Sequence, residues 1–342
     1  DYTDSSCPAL LLEPQRTNIL TQSEYINTSV SAWSSYFDTT ITNNDAVSPD
    51  GSNNATKITN SGTSARLDAA VSSLAIGTYT YSFYAKGDVT SLTINVYQNI
   101  GGVTLSSTQV QTLINGSEWK RLDFTFTTTA ISTLQIIHSG PAPSESFYMF
   151  GAQLEAATYA TSYIPTYGTS VTRNADACNG AGNTATFNST EGVLYFEGSA
   201  ISSNDSTFKR IAIGTSDLNF VNNINLRYDT SGTSVTYQYR AGNVYQADLT
   251  IPINQTDVNK IACVWKVNRF EIWLNGVKAA EDTSGSVISA NTLETMYYGK
   301  TTTFSEPLYG KTKEVIVFPT ALSDADLEIL TGTYYESYSA MA

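Results

Sequence analysis

Short runs of alternating hydrophobic and polar residues, separated by turn residues, fill the chain from about residue 20 to 165. In the segment TYTYSFYAKGD, residues 78–88, every second residue is apolar, and residues 91–102 and 119–128 repeat the pattern. A period of two is typical of a β-strand that turns one face to the core and the other to solvent. The first half of the chain is therefore predicted to be a set of short, half-buried strands.

The second half, from about residue 186 to 342, shows the same pattern with a different sequence. Ser-Gly and Asn-Gly pairs between its apolar runs favour hairpins. Only ALSDADLEILTG, residues 321–332, predicts a helix, with Ser323 as its N-cap and Gly332 at its end. The strand-like segments of this half are EGVLYFEGSA, INLRYDTSGTSVTYQYRAG, NKIACVWKVNRFEIWLNGVKAAED and KEVIVFP.

Many short strands divided by turns predict sandwiches or barrels, and 342 residues are enough for two domains. We therefore expect an all-β protein of two β-sandwich (jelly-roll) domains in tandem, with one short C-terminal helix. The irregular stretch around Pro165 and Gly168 is the expected boundary. The predicted divisions are an N-terminal connector (1–19), a first sandwich (20–165), a linker (166–185) and a second sandwich (186–342).

The composition excludes several classes of partner. Hydrophobic residues make up 41% and charged residues 14% of the chain, which is typical of a folded protein. A net charge of −13 disfavours nucleic acid and anionic membrane surfaces. The sequence has no apolar run of about 18 residues and no opening signal peptide. Asp1 in place of Met predicts a processed or excised piece.

The chain offers few reactive groups for catalysis. His138 is its one histidine, so Ser-His-Asp, Cys-His and His-rich metal sites are not expected, and its alternation with Leu134 and Ile136 favours a structural strand residue. Glu191 and Glu197 would share a strand face, but no further acid joins them in the sequence pattern. We therefore expect a protein that is not an enzyme.

Three cysteines are too few for a disulfide framework or a zinc site. Cys263 alternates with apolar residues and is predicted to be a core thiol. Cys7 and Cys178 flank the first half at its two ends, where the termini of a sandwich often meet. The sequence is compatible with a disulfide between Cys7 and Cys178 and also with two free thiols.

Sugar binding requires less than catalysis. A pyranose stacks its C–H face on an aromatic ring and pairs its hydroxyls with amide, carboxylate or guanidinium groups. Trp119 has the alternative of packing beneath a loop, and Trp273 is either an exposed platform or a contact with another domain or subunit. The outward candidates for carbohydrate binding are Tyr84, Asn95, Tyr97, Trp119, Arg121, Asp123 and Trp273.

Two segments frame the first half, PALLLEPQRTNILTQSE (8–24) and FYMFGAQLEAATYATSYIPTYGTSVTRNADAC (147–178). Together with GTYTYSFYAKGD and WKRLDFTFT between them, they resemble a carbohydrate-binding-module-like jelly roll of bacteriophage tail fibre and other virion proteins. The second half is similar to concanavalin A-like (laminin G-like) lectin domains of phage proteins. The segments NRFEIWLNGVKAAED and LYGKTKEVIVFPTALSDADLEIL carry that similarity.

The resemblance implies a non-catalytic virion appendage at the virion surface that recognises bacterial polysaccharide. Other virion subunits and copies of the same chain are its expected partners. Calcium is implied as well, with Asn43, Asp45 and Asp50 as candidate ligands, although a solvated turn-rich loop explains the same residues. Two alternatives are a purely structural or decoration protein of the virion and the targeting tail of a secreted polysaccharide-degrading enzyme.

Overall fold

A computed structural model describes residues 8–30, 32–99, 103–203, 207–217, 220–299 and 306–332. These residues form 22 strands and one helix, so the all-β prediction and the predicted C-terminal helix are confirmed. None of the described residues forms a helix with the length and apolarity to cross a membrane. The elements are β1 Leu10–Leu12, β2 Arg16–Asn18, β3 Trp33–Ala46, β4 Ala55–Leu74, β5 Gly77–Lys86, β6 Thr93–Gln98, β7 Val103–Gln109, β8 Lys120–Thr128, β9 Ser132–Ser139, β10 Ser146–Glu155, β11 Val171–Arg173, β12 Asn179–Ala181, β13 Gly192–Ala200, β14 Lys209–Gly214, β15 Asn223–Tyr228, β16 Ser234–Ala241, β17 Val244–Pro252, β18 Asn259–Lys266, β19 Arg269–Leu274, β20 Val277–Asp282, β21 Thr295–Tyr298, β22 Gly310–Phe318 and α1 Asp324–Thr331.

The chain divides into two compact units at positions that differ from the predicted ones. Residues 15–174 form one, here the jelly-roll unit, and residues 8–14 together with the described residues from 175 onward form the other, here the two-sheet unit. The jelly-roll unit is thus inserted into the two-sheet unit, and the two do not simply follow one another. Sequence patterning missed this because a three-residue strand such as β1 is too short to show an alternation.

Pairing on both sides of the insertion fixes these boundaries. In the two-sheet unit, β1 pairs with β22, and Glu13 and Asp176 exchange hydrogen bonds: the Glu13 N–H donates to Asp176 Oδ2 (2.8 Å) and the Asp176 N–H to the Glu13 carbonyl (2.9 Å). In the jelly-roll unit, β2 pairs with β11. The expected connector and linker are therefore part of the folded units. Cys7 lies outside the described residues, so its pairing with Cys178 stays a prediction.

The jelly-roll unit is a sandwich whose two halves share the long hairpin β3–β4. Residues 56–59 of β4 pair with β10, whereas residues 66–74 pair with β9, and the strand order is β7-β6-β9-β4-β10-β5-β8. One half therefore contains β10, β5 and β8, and the other contains β9, β6 and β7. The halves face each other, because Tyr81 and Phe83 of β5 lie 5.8 and 5.4 Å from the His138 ring of β9.

His138 lies in this core and not at a site. Its Nδ1–H donates to the Leu67 carbonyl oxygen (3.0 Å), and its Nε2 accepts from the Tyr81 hydroxyl (2.9 Å). Burial lowers the pKa of the ring to about 4. Trp33 is buried beside it, with its indole N–H donating to the Gln22 carbonyl oxygen (2.8 Å). His138 therefore has the structural role that the sequence predicts.

The two-sheet unit stacks two six-stranded sheets, ordered β1-β22-β13-β18-β19-β20 and β12-β21-β14-β15-β16-β17. Cys263 of β18 is buried between them, as predicted, and Trp265 of the same strand is buried beside it. The helix α1 begins at Ser323, whose side chain accepts from the Asp326 N–H. Leu327 of α1 packs on the outer face of the first sheet.

Candidate functional site

One outer face of the jelly-roll unit collects aromatic rings and cations from four neighbouring strands. On β10, Tyr148 lies directly opposite Lys57 of β4 on one side and Lys86 of β5 on the other. Two residues further along β5, Tyr84 lies opposite Arg121 of β8. We call this surface the aromatic–cationic face, and it comprises Lys57, Tyr84, Lys86, Trp119, Arg121 and Tyr148.

Contacts among these side chains hold the rings in place. The Lys86 ammonium lies over two rings, 4.8 Å from the centroid of Trp119 and 5.6 Å from that of Tyr148. The Trp119 indole N–H donates to the Val47 carbonyl oxygen (3.0 Å). This loop contact is the packing alternative considered for Trp119, yet the side chain stays half-exposed. The rings are therefore fixed before any ligand arrives.

Arg121 is anchored in a similar way. Its guanidinium lies 5.5 Å from the Tyr84 ring centroid and donates from Nη2 to the Thr161 carbonyl oxygen (2.6 Å) and to Ser82 Oγ (3.1 Å). In the part of the chain that the structure describes, no carboxylate lies within 4.0 Å of Arg121 or Lys86. Their charges are available to an oxygen-rich ligand, although the whole chain is acidic.

The structure brings only some of the predicted sugar-binding residues together. Asp123 is exposed on the same side of β8 as Arg121, so it joins the aromatic–cationic face. Asn95 and Tyr97 point outward from β6, which belongs to the other half of the sandwich. They cannot act on the same sugar as Tyr84 and Arg121. The alternation of each strand was visible in the sequence, but the assignment of strands to halves was not.

Trp273 is not an exposed platform. Its side chain is 5% exposed and packs among Val193, Val264 and Leu327 of α1. The indole N–H donates to Glu271 Oε2 (2.9 Å). The prediction is corrected because the C-terminal helix covers this face of the sheet, so the contact is internal to the unit.

The residues proposed for calcium do not converge. Asn43 accepts from the Thr56 hydroxyl (3.0 Å), and Asp45 faces the Lys57 ammonium at 3.8 Å. Asp50 accepts from Ser48 Oγ and the Ser52 N–H (each 2.7 Å), and the Ser48 hydrogen bond is the main cause that lowers its pKa. Calcium needs six to eight converging oxygens. Among the described residues, no group of three or more His, Cys, Asp and Glu side chains could hold a metal ion, so these residues do not fit calcium.

A second candidate surface, most of which the sequence reasoning missed, lies on the outer side of the second sheet of the two-sheet unit. A single register row crosses five strands and joins Tyr297, Ala212, Asn225, Gln238 and Asp248. We call this surface the polar face; its neighbouring rows add Arg210, Arg227, Thr236, Gly214, Asn223 and Arg240. The signal was present in NINLRY and SVTYQYRA, whose polar positions alternate with core residues.

Two shallow depressions are weaker candidates for a binding site. One of about 510 Å³ lies beside Phe37 and Arg66 in the jelly-roll unit, but Arg66 already pairs with the buried Asp68 and lies over the Tyr36 ring. The other, of about 330 Å³, lies in the two-sheet unit and contains Glu197.

The second depression changes one expectation from the sequence. Glu314 of β22 lies directly opposite Glu197 of β13, so an acidic partner does join that residue. Tyr195 donates its hydroxyl to Glu197 Oε2 (3.1 Å), whereas Glu191 pairs with Lys266 (3.2 Å). The pairing depends on the register of two strands far apart in sequence, which no local pattern reveals.

One known family model matches part of the two-sheet unit. Residues 200–328 match the family model of the concanavalin A-like lectin/glucanases superfamily. The match contains the strands of the polar face. No curated protein matches the chain.

Several solved structures are similar to parts of the chain at low identity. The CBM40 of the Ruminococcus gnavus IT-sialidase, bound to alpha2,3 sialyllactose, is 17% identical with a TM-score of 0.37, over 46% of this chain and 96% of that one. A heptameric SAP-like pentraxin from Limulus polyphemus is 13% identical with a TM-score of 0.37, over 45% of this chain and 74% of that one. A CBM4 structure is 18% identical with a TM-score of 0.30, over 41% of this chain and 97% of that one.

Proposed function

We propose that this protein binds carbohydrate without transforming it, and that the aromatic–cationic face is the binding surface. The observation that carries the proposal is the group of three half-exposed rings, Tyr84, Trp119 and Tyr148, with cations fixed between them. Rings offer a stacking surface to pyranose C–H groups, and the cations and Asp123 offer partners to hydroxyls. The superfamily match of residues 200–328 supports lectin-type binding elsewhere in the chain.

Two truncations test the surface on the full chain. Trp119→Ala and Tyr84→Ala each remove one ring, and each should weaken binding by about tenfold or more because a central aromatic anchor is lost. The matched control is Tyr97→Ala, which removes a half-exposed tyrosine from the other half of the same sandwich. The measurement is binding to a glycan array followed by calorimetry with the best glycan. A blank array, or equal loss in all three variants, would contradict the proposal.

We further propose that the protein is a phage virion appendage displayed at the virion surface in several copies. A shallow, open face gives weak binding to each copy, at about millimolar Kd, and multivalent display raises the effective affinity by about a hundredfold or more. The full-length chain in its assembled form should therefore bind polysaccharide far more tightly than a single copy. Equal affinity of the two forms would count against display in copies.

The structural alternative makes a different use of the same rings. If Trp119 and Tyr84 lie in subunit contacts, their truncation should abolish assembly and leave glycan binding intact. Sedimentation of the variants beside the array measurement distinguishes the two roles. The upstream sequence of the full-length gene tests the remaining alternative, a targeting tail behind a polysaccharide-degrading enzyme.

The non-catalytic part of the proposal has its own test. Glu197 and Glu314 are adjacent carboxylates on one sheet face, and glycosidases act through a carboxylate pair. Incubation of the full chain with the bound glycan should release no new reducing ends. Release that disappears in Glu197→Gln and Glu314→Gln would show an enzyme instead.

A further inference from the structure

The polar face of the two-sheet unit contains buried hydrogen-bonding groups that have no partner. The Tyr297 hydroxyl, Asn225 Oδ1 and Arg210 Nε are each buried and have no hydrogen-bond partner among the described residues. The three residues are 1, 1 and 4% exposed, respectively. The Nε of the half-buried Arg227 is in the same state. A buried polar group without a partner costs about 1–3 kcal/mol, so such groups are rare unless a ligand or water completes them.

These groups belong to neighbouring register positions on one face of the sheet, and small residues lie between them. On β14, Ala212 lies between Tyr297 and Asn225 in the register row, and Gly214 follows two residues later. A Cβ on Gly214 would lie 3.0 Å from the Tyr297 hydroxyl, so the glycine leaves room for that group. The sheet therefore places donors from Tyr297 and the arginines beside the Asn225 acceptor, next to the Phe220 ring, which lies 5.1 Å from the Arg210 guanidinium and 6.4 Å from the Tyr297 ring.

Two cations of the polar face, Arg210 and Arg227, have one carboxylate partner between them among the described residues. Arg210 and Arg227 are directly opposite each other on β14 and β15, an arrangement that like charges normally avoid. Glu306 pairs with Arg210, but no carboxylate lies within 4.0 Å of Arg227 among the described residues. The Arg227 guanidinium instead lies 4.4 Å from the Phe208 ring centroid, which fixes its plane. Two guanidiniums with one counterion leave room for one more anionic group.

We propose that the polar face is a second binding site, and that its ligand is a carboxylate-bearing sugar of an acidic polysaccharide. The sugar carboxylate accepts from Arg227 and the Arg210 Nε–H, where a guanidinium edge matches the two oxygens of a carboxylate. A sugar hydroxyl accepts from Tyr297 and donates to Asn225. The inference rests on the proposed function only in taking glycans as the ligand class, since the unit, the residues and the charge requirement are different.

The test uses the full chain and a panel of immobilised oligosaccharides of glucuronic, galacturonic, mannuronic and sialic acid, each beside its carboxyl-reduced counterpart. We expect binding to at least one acidic member and at least tenfold weaker binding to its reduced form. Arg227→Gln should weaken that binding by tenfold or more, and Tyr297→Phe by about five- to tenfold. Binding of the reduced forms with equal affinity, or of no acidic member, overturns the proposal.

Thermal unfolding of the two variants gives a readout that a merely structural role would not produce. Arg227→Gln relieves the repulsion with Arg210, and Tyr297→Phe removes an unpartnered hydroxyl, so both should melt at the same or a higher temperature without ligand. Lower melting temperatures would assign these groups to structure and overturn the site.

Trp119→Ala is the control that separates the two proposals. If it abolishes binding of the acidic panel while Arg227→Gln does not, the acidic sugar binds at the aromatic–cationic face and the polar-face proposal fails alone. If Trp119→Ala leaves all binding unchanged and Arg227→Gln removes it, the polar-face proposal stands and the aromatic–cationic face is not the site.

Discussion

The aromatic–cationic face of the jelly-roll unit and the polar face of the two-sheet unit both lie on the outer side of a sheet, yet their side chains are satisfied to different degrees. Lys86, Trp119 and Arg121 already contact rings, carbonyls or hydroxyls of their own unit. On the polar face, the Tyr297 hydroxyl and Asn225 Oδ1 are buried and have no partner.

If both faces bind the proposed ligands, this difference predicts two modes of recognition. A surface whose groups satisfy each other is stable without a ligand and accepts any sugar that can stack, so it gives little selectivity. A surface with unsatisfied buried groups loses stability without a ligand and rejects a ligand that cannot complete those groups. We therefore expect broad, weak binding at the aromatic–cationic face and selective binding at the polar face.

The two tryptophans that were candidates for sugar stacking provide the largest contrast. Trp273→Ala removes a buried ring beneath α1 and should cost about 3–5 kcal/mol of the free energy of unfolding. Trp119→Ala removes a half-exposed ring and should cost about 1 kcal/mol or less. Urea unfolding of both variants measures the two losses. Similar losses for the two variants would mean that the two rings are equally buried. That result would contradict an open aromatic–cationic face.

Acid should lower the stability of the jelly-roll unit more than that of the two-sheet unit. The one histidine of the chain lies in the jelly-roll core. Burial lowers the pKa of folded His138 from 6.5 to about 4. Between pH about 6.5 and about 4 the unfolded chain takes up a proton at this histidine, whereas the folded unit does not. The free energy of unfolding therefore falls as the pH drops from about 6.5 to about 4 and levels off below pH about 4. The full loss is about 3 kcal/mol.

Hydrogen exchange at pH 7 and pH 4 measures this effect strand by strand. Amides of β5 and β9 should lose protection at the lower pH, and His138→Phe should remove that part of the pH dependence while leaving any carboxylate contribution. Equal loss of protection in the histidine-free two-sheet unit would point to carboxylates and not to His138.

The sequence predicted what depends on local pattern. Alternation identified the strands that carry Tyr84 and Arg121, and capping signals at Ser323 identified α1 within a few residues. Long-range assembly was not predictable, because a strand pattern does not say which sheet the strand joins. For that reason Asn95 and Tyr97 were grouped with Tyr84, although β6 lies in the other half of the sandwich.

The alternation of apolar and polar residues also does not predict whether an outward-facing residue is buried by another element. Trp273 alternates with core residues and is covered by α1, which comes much later in the chain. The opposite case is the row of Asn225, Gln238 and Tyr297, in which polar residues are buried on an outward face. A polar position in an alternating strand is expected to be solvated, whereas in the folded protein these positions are shielded.

The smallest expected effect concerns how the cations of the aromatic–cationic face act. Lys86 lies over both Trp119 and Tyr148, whereas Lys57 lies 5.9 Å from Tyr148 alone and faces Asp45. A cation–π contact at an exposed site contributes about 0.5–1 kcal/mol, so Lys86→Gln should weaken binding of a neutral glycan by about two- to fivefold. The matched variant Lys57→Gln should leave that binding unchanged, as calorimetry with the same glycan can show. If the two variants weaken it equally, the cations act through their charge on the ligand, because only Lys86 is placed to order both rings.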